Sequence, residues 1–204
     1  VKEIDGILFL WLAWIIWVVA TFLFRRSKER YLITVVALLS IIFSHTYVEL
    51  PYLTINIAML FLMLLGCYIV AKSTILQRCY LFIVSSILMM AYVAILAIHL
   101  FDPVWFLLNK KFVIVILCSF ILLLLCRDMK QGLAVLFIGV NVGDIIFSLV
   151  IYNIHLVTFQ QPLFALDVIS LSITFTYIFN TYFNTVSSIQ KSSMKSSKRG
   201  RALL

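Results

Sequence analysis

GLAVLFIGVNVGDIIFSLVIY, residues 132–152, carries one charged side chain, Asp144, in 21 positions. A spanning helix needs about 20 predominantly apolar residues, and strands of globular proteins are far shorter. The stretch therefore reads as a transmembrane helix. Outward from it lie six more apolar runs, at about 6–24, 31–49, 52–71, 79–100, 111–126 and 162–183. Pro51, Pro103 and Pro162 all fall between runs, where a missing N–H costs least. The expected fold is an all-α polytopic membrane protein. A seven-transmembrane-helix bundle occupies residues 1–183, and a basic, Ser/Lys-rich tail, expected to be disordered in water, occupies 184–204. The fifth run is short. It starts either at Pro103, with Asp102 as N-cap, or at Lys111 after a short interfacial turn, the form expected here.

Composition agrees. Of 204 residues, 64% are apolar and 12% charged, with a mean hydropathy of +1.15. A soluble domain is about half apolar and a quarter charged, so this chain lacks the polar surface to coat a globule in water. Seven spans use most of its length, which leaves no room for a soluble catalytic or nucleotide-binding domain. The chain has no phosphate loop, dinucleotide fingerprint or zinc-protease histidine pair. Its first apolar run is too long, and lacks the basic start, for a cleavable signal peptide. Cys67, Cys79, Cys118 and Cys126 form no CxxC pair, so neither a disulfide framework nor a thiolate metal site is expected, nor any cofactor.

A net charge of +8 in a soluble protein points to nucleic acid. Here the basic residues sit at helix ends, so no nucleic-acid partner is expected and the charge reads as a topology signal. Thirteen of 16 lie on one side: Arg25, Arg26, Lys28 and Arg30; Lys72 and Arg78; Arg127 and Lys130; and Lys191, Lys195, Lys198, Arg199 and Arg201 of the tail. Lys2, Lys110 and Lys111 lie on the other. The positive-inside rule puts the N-terminus outside and the C-terminus in the cytoplasm. The tail either anchors this topology or lies on anionic lipid, at about 1 kcal/mol per basic residue. The expected partners are the lipid bilayer and, because the loops are short, another membrane protein.

Polar residues inside spans are costly and mark candidate sites. On the sixth run Asn141, Asp144, Ser148 and Tyr152 share a helical face, while Gly139 and Gly143 form a GxxxG on roughly the opposite face, suited to close helix contact. On the seventh, Asp167, Ser170, Thr174, Tyr177 and Thr181 share a face. Two antiparallel stripes headed by acids suggest an intramembrane polar lane. Asp144 and Asp167 then act as titrating or binding groups, or else as hydrogen-bonded fasteners between helices. At the outer face, His45 and Glu49 are spaced i, i+4, His99 and Asp102 i, i+3, and His155 follows the sixth run. Imidazole and carboxylate are metal-ligand types, so these five are the candidate metal ligands, although no two histidines have ligand spacing. Trp11, Trp14 and Trp17 form a stripe suited to lipid contact or helix packing.

Three familiar patterns fail. Asn141-Val142-Gly143-Asp144 lacks the first glycine of the GxGD intramembrane proteases and has no preceding Tyr-Asp helix. The seventh run has no lysine for a retinal Schiff base. Gln161-Pro162 does not follow the order of a sugar-carrier PQ motif, and no proline lies within a span. By contrast, Trp11-Leu12-Ala13-Trp14 with Trp17, Phe101-Asp102-Pro103-Val104-Trp105, Gly143-Asp144 and Leu166-Asp167, with the length and span number, resemble the YphA-like small membrane proteins of Bacillus-type bacteria. The resemblance runs over most of the chain. It implies a multi-pass protein of the bacterial cytoplasmic membrane and carries over no activity or functional residues. The expected function is thus a non-enzymatic accessory or interaction protein. The alternatives are a small carrier or proton-coupled transporter using Asp144 and Asp167, and an intramembrane metal-dependent hydrolase.

Overall fold

The computed structural model describes residues 6–24, 27–50, 53–102, 109–126, 128–153 and 163–201. Among them the chain forms seven helices and one hairpin: α1 (Ile7–Phe22), α2 (Lys28–Phe43), β1 (Tyr47–Leu50), β2 (Leu53–Asn56), α3 (Ile57–Ala71), α4 (Ile75–Phe101), α5 (Lys110–Leu125), α6 (Met129–Asn153) and α7 (Phe164–Arg201). Three of these helices, α4, α6 and the Phe164–Phe183 part of α7, are long and apolar enough to cross a membrane.

The hairpin corrects the all-α expectation. Its strands are antiparallel, with Tyr47 opposite Asn56 and Glu49 opposite Thr54. The apolar runs 31–49 and 52–71 are thus helix, strand, strand and helix. Hydroxyl side chains close α2: Ser44 Oγ donates to the Ile41 carbonyl at 2.7 Å and Thr46 Oγ1 to that of Phe43 at 2.8 Å. These take up carbonyls that a continuing helix would use. The YVEL and LTIN segments are rich in aromatic and β-branched residues, which favour strands. Asn56 then locks the base of the hairpin. It is fully buried, accepts from Ala58 N at 2.8 Å as the N-cap of α3, and donates from Nδ2 to the Ser44 carbonyl at 2.7 Å. The 15 residues of α3 cover only about 22 Å.

Other boundaries have local causes. Gln77 accepts from Thr74 N at 3.3 Å at the start of α4, which begins four residues before the expected run. Arg78 donates to the carbonyls of Ala71 and Ser73 and covers the C-terminal end of α3, where a cation is favourable. Asp102 is the C-cap of α4, whereas Asn109 caps α5 by accepting from Lys111 N at 3.0 Å. The version of the fifth run that uses Asp102 as N-cap is therefore set aside. At the other end, α7 runs on as helical backbone to Arg201, where the sequence suggested a disordered tail. No proline interrupts this stretch and its first glycine is Gly200. Once the packed first turns of α7 exist, each added residue extends a helix already nucleated.

The core centres on α6, which packs between α3 and α4. Glycines set the approach on both sides. A Cβ at Gly139 would come within 2.8 Å of Leu88 Cδ2 and 3.0 Å of the Ser85 carbonyl, and one at Gly143 within 2.8 Å of Tyr92 Cδ1. Across the other interface, a Cβ at Gly66 of α3 would lie 3.0 Å from Phe137 Cβ. The GxxxG face is thus the α4 seam, as its spacing predicts. Helices α5 and α7 pack together, and α1 packs on α2 and α7. Trp11 and Trp14 are exposed on α1, with Trp17 half-buried against Trp14 in an edge-on ring pair at 5.6 Å.

Candidate functional site

The two acids of the apolar helices α6 and α7 occupy two different environments. Asp167, in the first turn of α7, is fully buried. Its Oδ2 accepts from Lys111 Nζ at 2.7 Å and from Gly6 N at 2.9 Å, and its Oδ1 accepts from Phe9 N at 2.8 Å. One carboxylate thus joins the N-terminal ends of α1, α5 and α7. A buried ion pair is tolerable when further hydrogen bonds satisfy its charges, and here the first N–H groups of α1, which have no partner in their own helix, supply them. The negative charge also sits favourably at the positive ends of α1 and α7. Lys111 is 5% exposed. Its ammonium and that of Lys110 lie 5.7 and 5.1 Å from the centre of the Phe164 ring, within cation–π range. Gly6 has φ of +92°, a left-handed conformation that L side chains rarely adopt, and a Cβ there would come within 2.6 Å of Leu163 Cδ1. The α1 terminus can dock on Asp167 because residue 6 is glycine.

Asp144, in the middle of α6, is half-buried. Tyr92 of α4 donates its phenol O–H to Asp144 Oδ1 at 3.1 Å. The same tyrosine ring lies against Gly143, so the glycine seam and the acid are served by one side chain. Asp144 and Asn141 line a small cavity together with Thr54 and Ile55 of β2 and Met59, Leu60 and Met63 of α3.

The structure therefore gives the two acids separate partners: α4 for Asp144, and α1 and α5 for Asp167. Three hydroxyls of the α7 stripe bond within their own helix. Ser170 donates to the Asp167 carbonyl, Thr174 to that of Ser170 and Thr181 to that of Tyr177. Each satisfies its own helix backbone. Ser170 is buried, Thr174 and Ser148 half-buried, and Tyr152 and Tyr177 exposed. The expected lane resolves into two nodes.

Among the described residues the candidate metal ligands do not gather. His45 lies in the turn after α2 and Glu49 in β1, so the helical i, i+4 pair is absent because the helix ends at Phe43. His99 is in the last turn of α4 and Asp102 is its cap, while His155 lies outside the described residues. Among the described residues no three His, Cys, Asp or Glu side chains come together as a metal site. Lys191, Lys195, Lys198, Arg199 and Arg201 lie on the helical backbone of α7, and their side chains are outside the described set.

Sequence reasoning missed Lys111, Gly6 and Tyr92. Two signals were available. Lys111 opens an apolar run as Asp167 does, and a buried tyrosine needs an acceptor for its hydroxyl.

The model of a family described as YphA-like integral membrane proteins matches residues 5–203. The chain belongs to this family. It is 27% identical over 144 residues to the uncharacterized protein YphA of Bacillus subtilis (strain 168), which covers 71% of each chain. No solved structure matches. Membership in an integral membrane family agrees with the apolar helices: the chain is an integral membrane protein, mostly helical, as its composition and the resemblance implied.

Proposed function

We propose that the chain crosses the bacterial cytoplasmic membrane seven times, with its N-terminus outside and its C-terminus in the cytoplasm. There it acts without catalysis, as an accessory to another membrane protein. The observation that carries this reading is the Asp167 node. Its carboxylate is taken up by Lys111 and by two N–H groups of α1, so it is a fastener and not an open reactive group. The node also supports the topology. In a seven-span chain with an outside N-terminus, helices 1, 5 and 7 all start at the outer face, and these are the three helix starts that meet at Asp167. The Lys and Arg distribution gives the same orientation. A carrier reading retains Asp144 alone, since Asp167 is spent on the pair.

Short loops between the spans favour a partner met within the bilayer. The exposed Trp11 and Trp14 face of α1 is one accessible surface for it. Two experiments test the reading. A single cysteine at Phe106, in a cysteine-free chain, should react with a membrane-impermeant thiol reagent in intact cells, and one at Ser73 only after permeabilisation. The reverse pattern would overturn the topology. A photo-crosslinking residue at position 11 should give one discrete protein adduct, and adducts with lipid alone would overturn the accessory role.

A further inference from the structure

We propose that Asp144 and Asn141, with Tyr92 holding the Asp144 carboxylate in place, form a binding site for one small monovalent cation, of Na+ size. The first ground is space. The cavity between β2, α3 and α6 has a volume of ≈ 10 Å³, about what a single water-sized particle requires. Its position is intramembrane: Asp144 lies nine residues, about 14 Å, before the end of α6 at Asn153.

The second ground is an unpartnered ligand atom. Asn141 is 1% exposed, and its Oδ1 has no hydrogen-bond partner. The amide cannot be reversed to cure this. Its Nδ2 donates to the Phe137 carbonyl, which requires a donor. Oδ1 therefore faces away from that carbonyl, on a residue that lines the cavity one helical turn from Asp144. Of the buried side-chain oxygens without a partner among the described residues, it is the one beside this cavity. An orphaned buried acceptor is destabilising, and a bound ligand would relieve it.

The third ground is charge. Among the described residues Tyr92 is the group hydrogen-bonded to Asp144, and no cation pairs with it. One carboxylate supplies one negative charge, which one monovalent cation neutralises and a divalent cation would overfill. A trapped water could satisfy Asn141 Oδ1, but the carboxyl would then have to be neutralised by a proton, whereas one bound cation serves both groups. A carboxylate and an amide oxygen are hard oxygen ligands, the class that binds hard cations. Thr54 adds a hydroxyl and an extended, non-helical backbone at the cavity wall. Non-helical backbone within a membrane protein is tolerated where it is buried or lines a cavity.

The test is thermal unfolding of the full chain in detergent, with NaCl replaced stepwise by choline chloride at constant ionic strength, together with equilibrium binding of radioactive Na+. The expected result is a saturable rise in Tm of several degrees with Na+ and one Na+ bound per chain. Asp144→Asn should abolish both, and Tyr92→Phe and Asn141→Ala should raise the Na+ midpoint about tenfold. Identical Tm in NaCl and choline chloride, with no Na+ bound to the unaltered chain, would mean a water-filled site and overturn the proposal. So would a Na+ response that persists unchanged in Asp144→Asn. If Asp144→Asn does not fold, Tyr92→Phe and the binding stoichiometry of the unaltered chain decide between the two outcomes.

Discussion

Asp167 and Asp144 are both carboxylates in apolar helices, 23 residues apart, yet the protein treats them in opposite ways. Asp167 is closed: a lysine and two backbone N–H groups fill its acceptor sites, and solvent does not reach it. Asp144 is open: one phenol holds it, a small cavity adjoins it, and the amide oxygen beside it has no partner. An acid in a membrane helix is therefore not by itself a functional signal. What separates fastener from site is whether the chain supplies the countercharge, and here Lys111 does so for Asp167 alone.

The comparison can be broken most sharply at the closed node. Asp167→Asn leaves Lys111 buried without its countercharge and should destabilise the protein by about 3–5 kcal/mol, measured by reversible unfolding in mixed micelles. Replacing both groups, as Lys111→Met with Asp167→Leu, should recover most of that loss. A double variant no better than Asp167→Asn would show that the N–H groups of α1, and not the ion pair, carry the node.

The next effect concerns the glycines that let each node form. Gly6→Ala places a side chain at φ +92° and against Leu163. Gly139→Ala drives a methyl into Leu88 and the Ser85 carbonyl. Overpacking of this kind costs roughly 1–3 kcal/mol. Gly6→Ala should also loosen α1, seen as faster labelling of a cysteine placed at Ala13. Gly139→Ala should leave labelling at position 13 unchanged, because its contacts are on α4.

The open node should respond less. Tyr92→Phe removes one inter-helix hydrogen bond, worth about 0.6 kcal/mol on average in membrane proteins, and it keeps the ring that packs on Gly143. A loss as large as that of Asp167→Asn would erase the distinction between the nodes. The smallest effect belongs to the α7 hydroxyls. Thr174→Val deletes a bond made to its own helix and should change stability by less than about 0.5 kcal/mol. A larger loss would restore the continuous lane that the stripe pattern suggested.

How far the sequence reached follows from which interactions are local. The α4 and α6 helices were legible because a long apolar run without proline has one low-energy form in lipid. The GxxxG seam was legible because small residues four apart must lie on one helical face. The α2–α3 connection was not. Residues 47–56 are apolar enough to extend either helix, and apolar runs do not distinguish strand from helix. What decides it is the buried Asn56 bonding back to Ser44, a contact across 12 positions. The Lys111–Asp167 pair spans 56 positions, and no periodicity within one helix encodes a partner on another. Helical spacing groups Asp144 with Asn141 and Asp167 with Ser170. It could not show that the two faces meet different neighbours.

The most direct test of this account is a double-mutant cycle on Lys111 and Asp167, with unfolding free energies for both single replacements and the double in one lipid–detergent mixture. A closed structural node predicts strong coupling of about 2 kcal/mol or more, the double variant being nearly as stable as the unaltered chain. Single losses that simply add would contradict it, and would return Asp167 to the list of candidate functional groups beside Asp144.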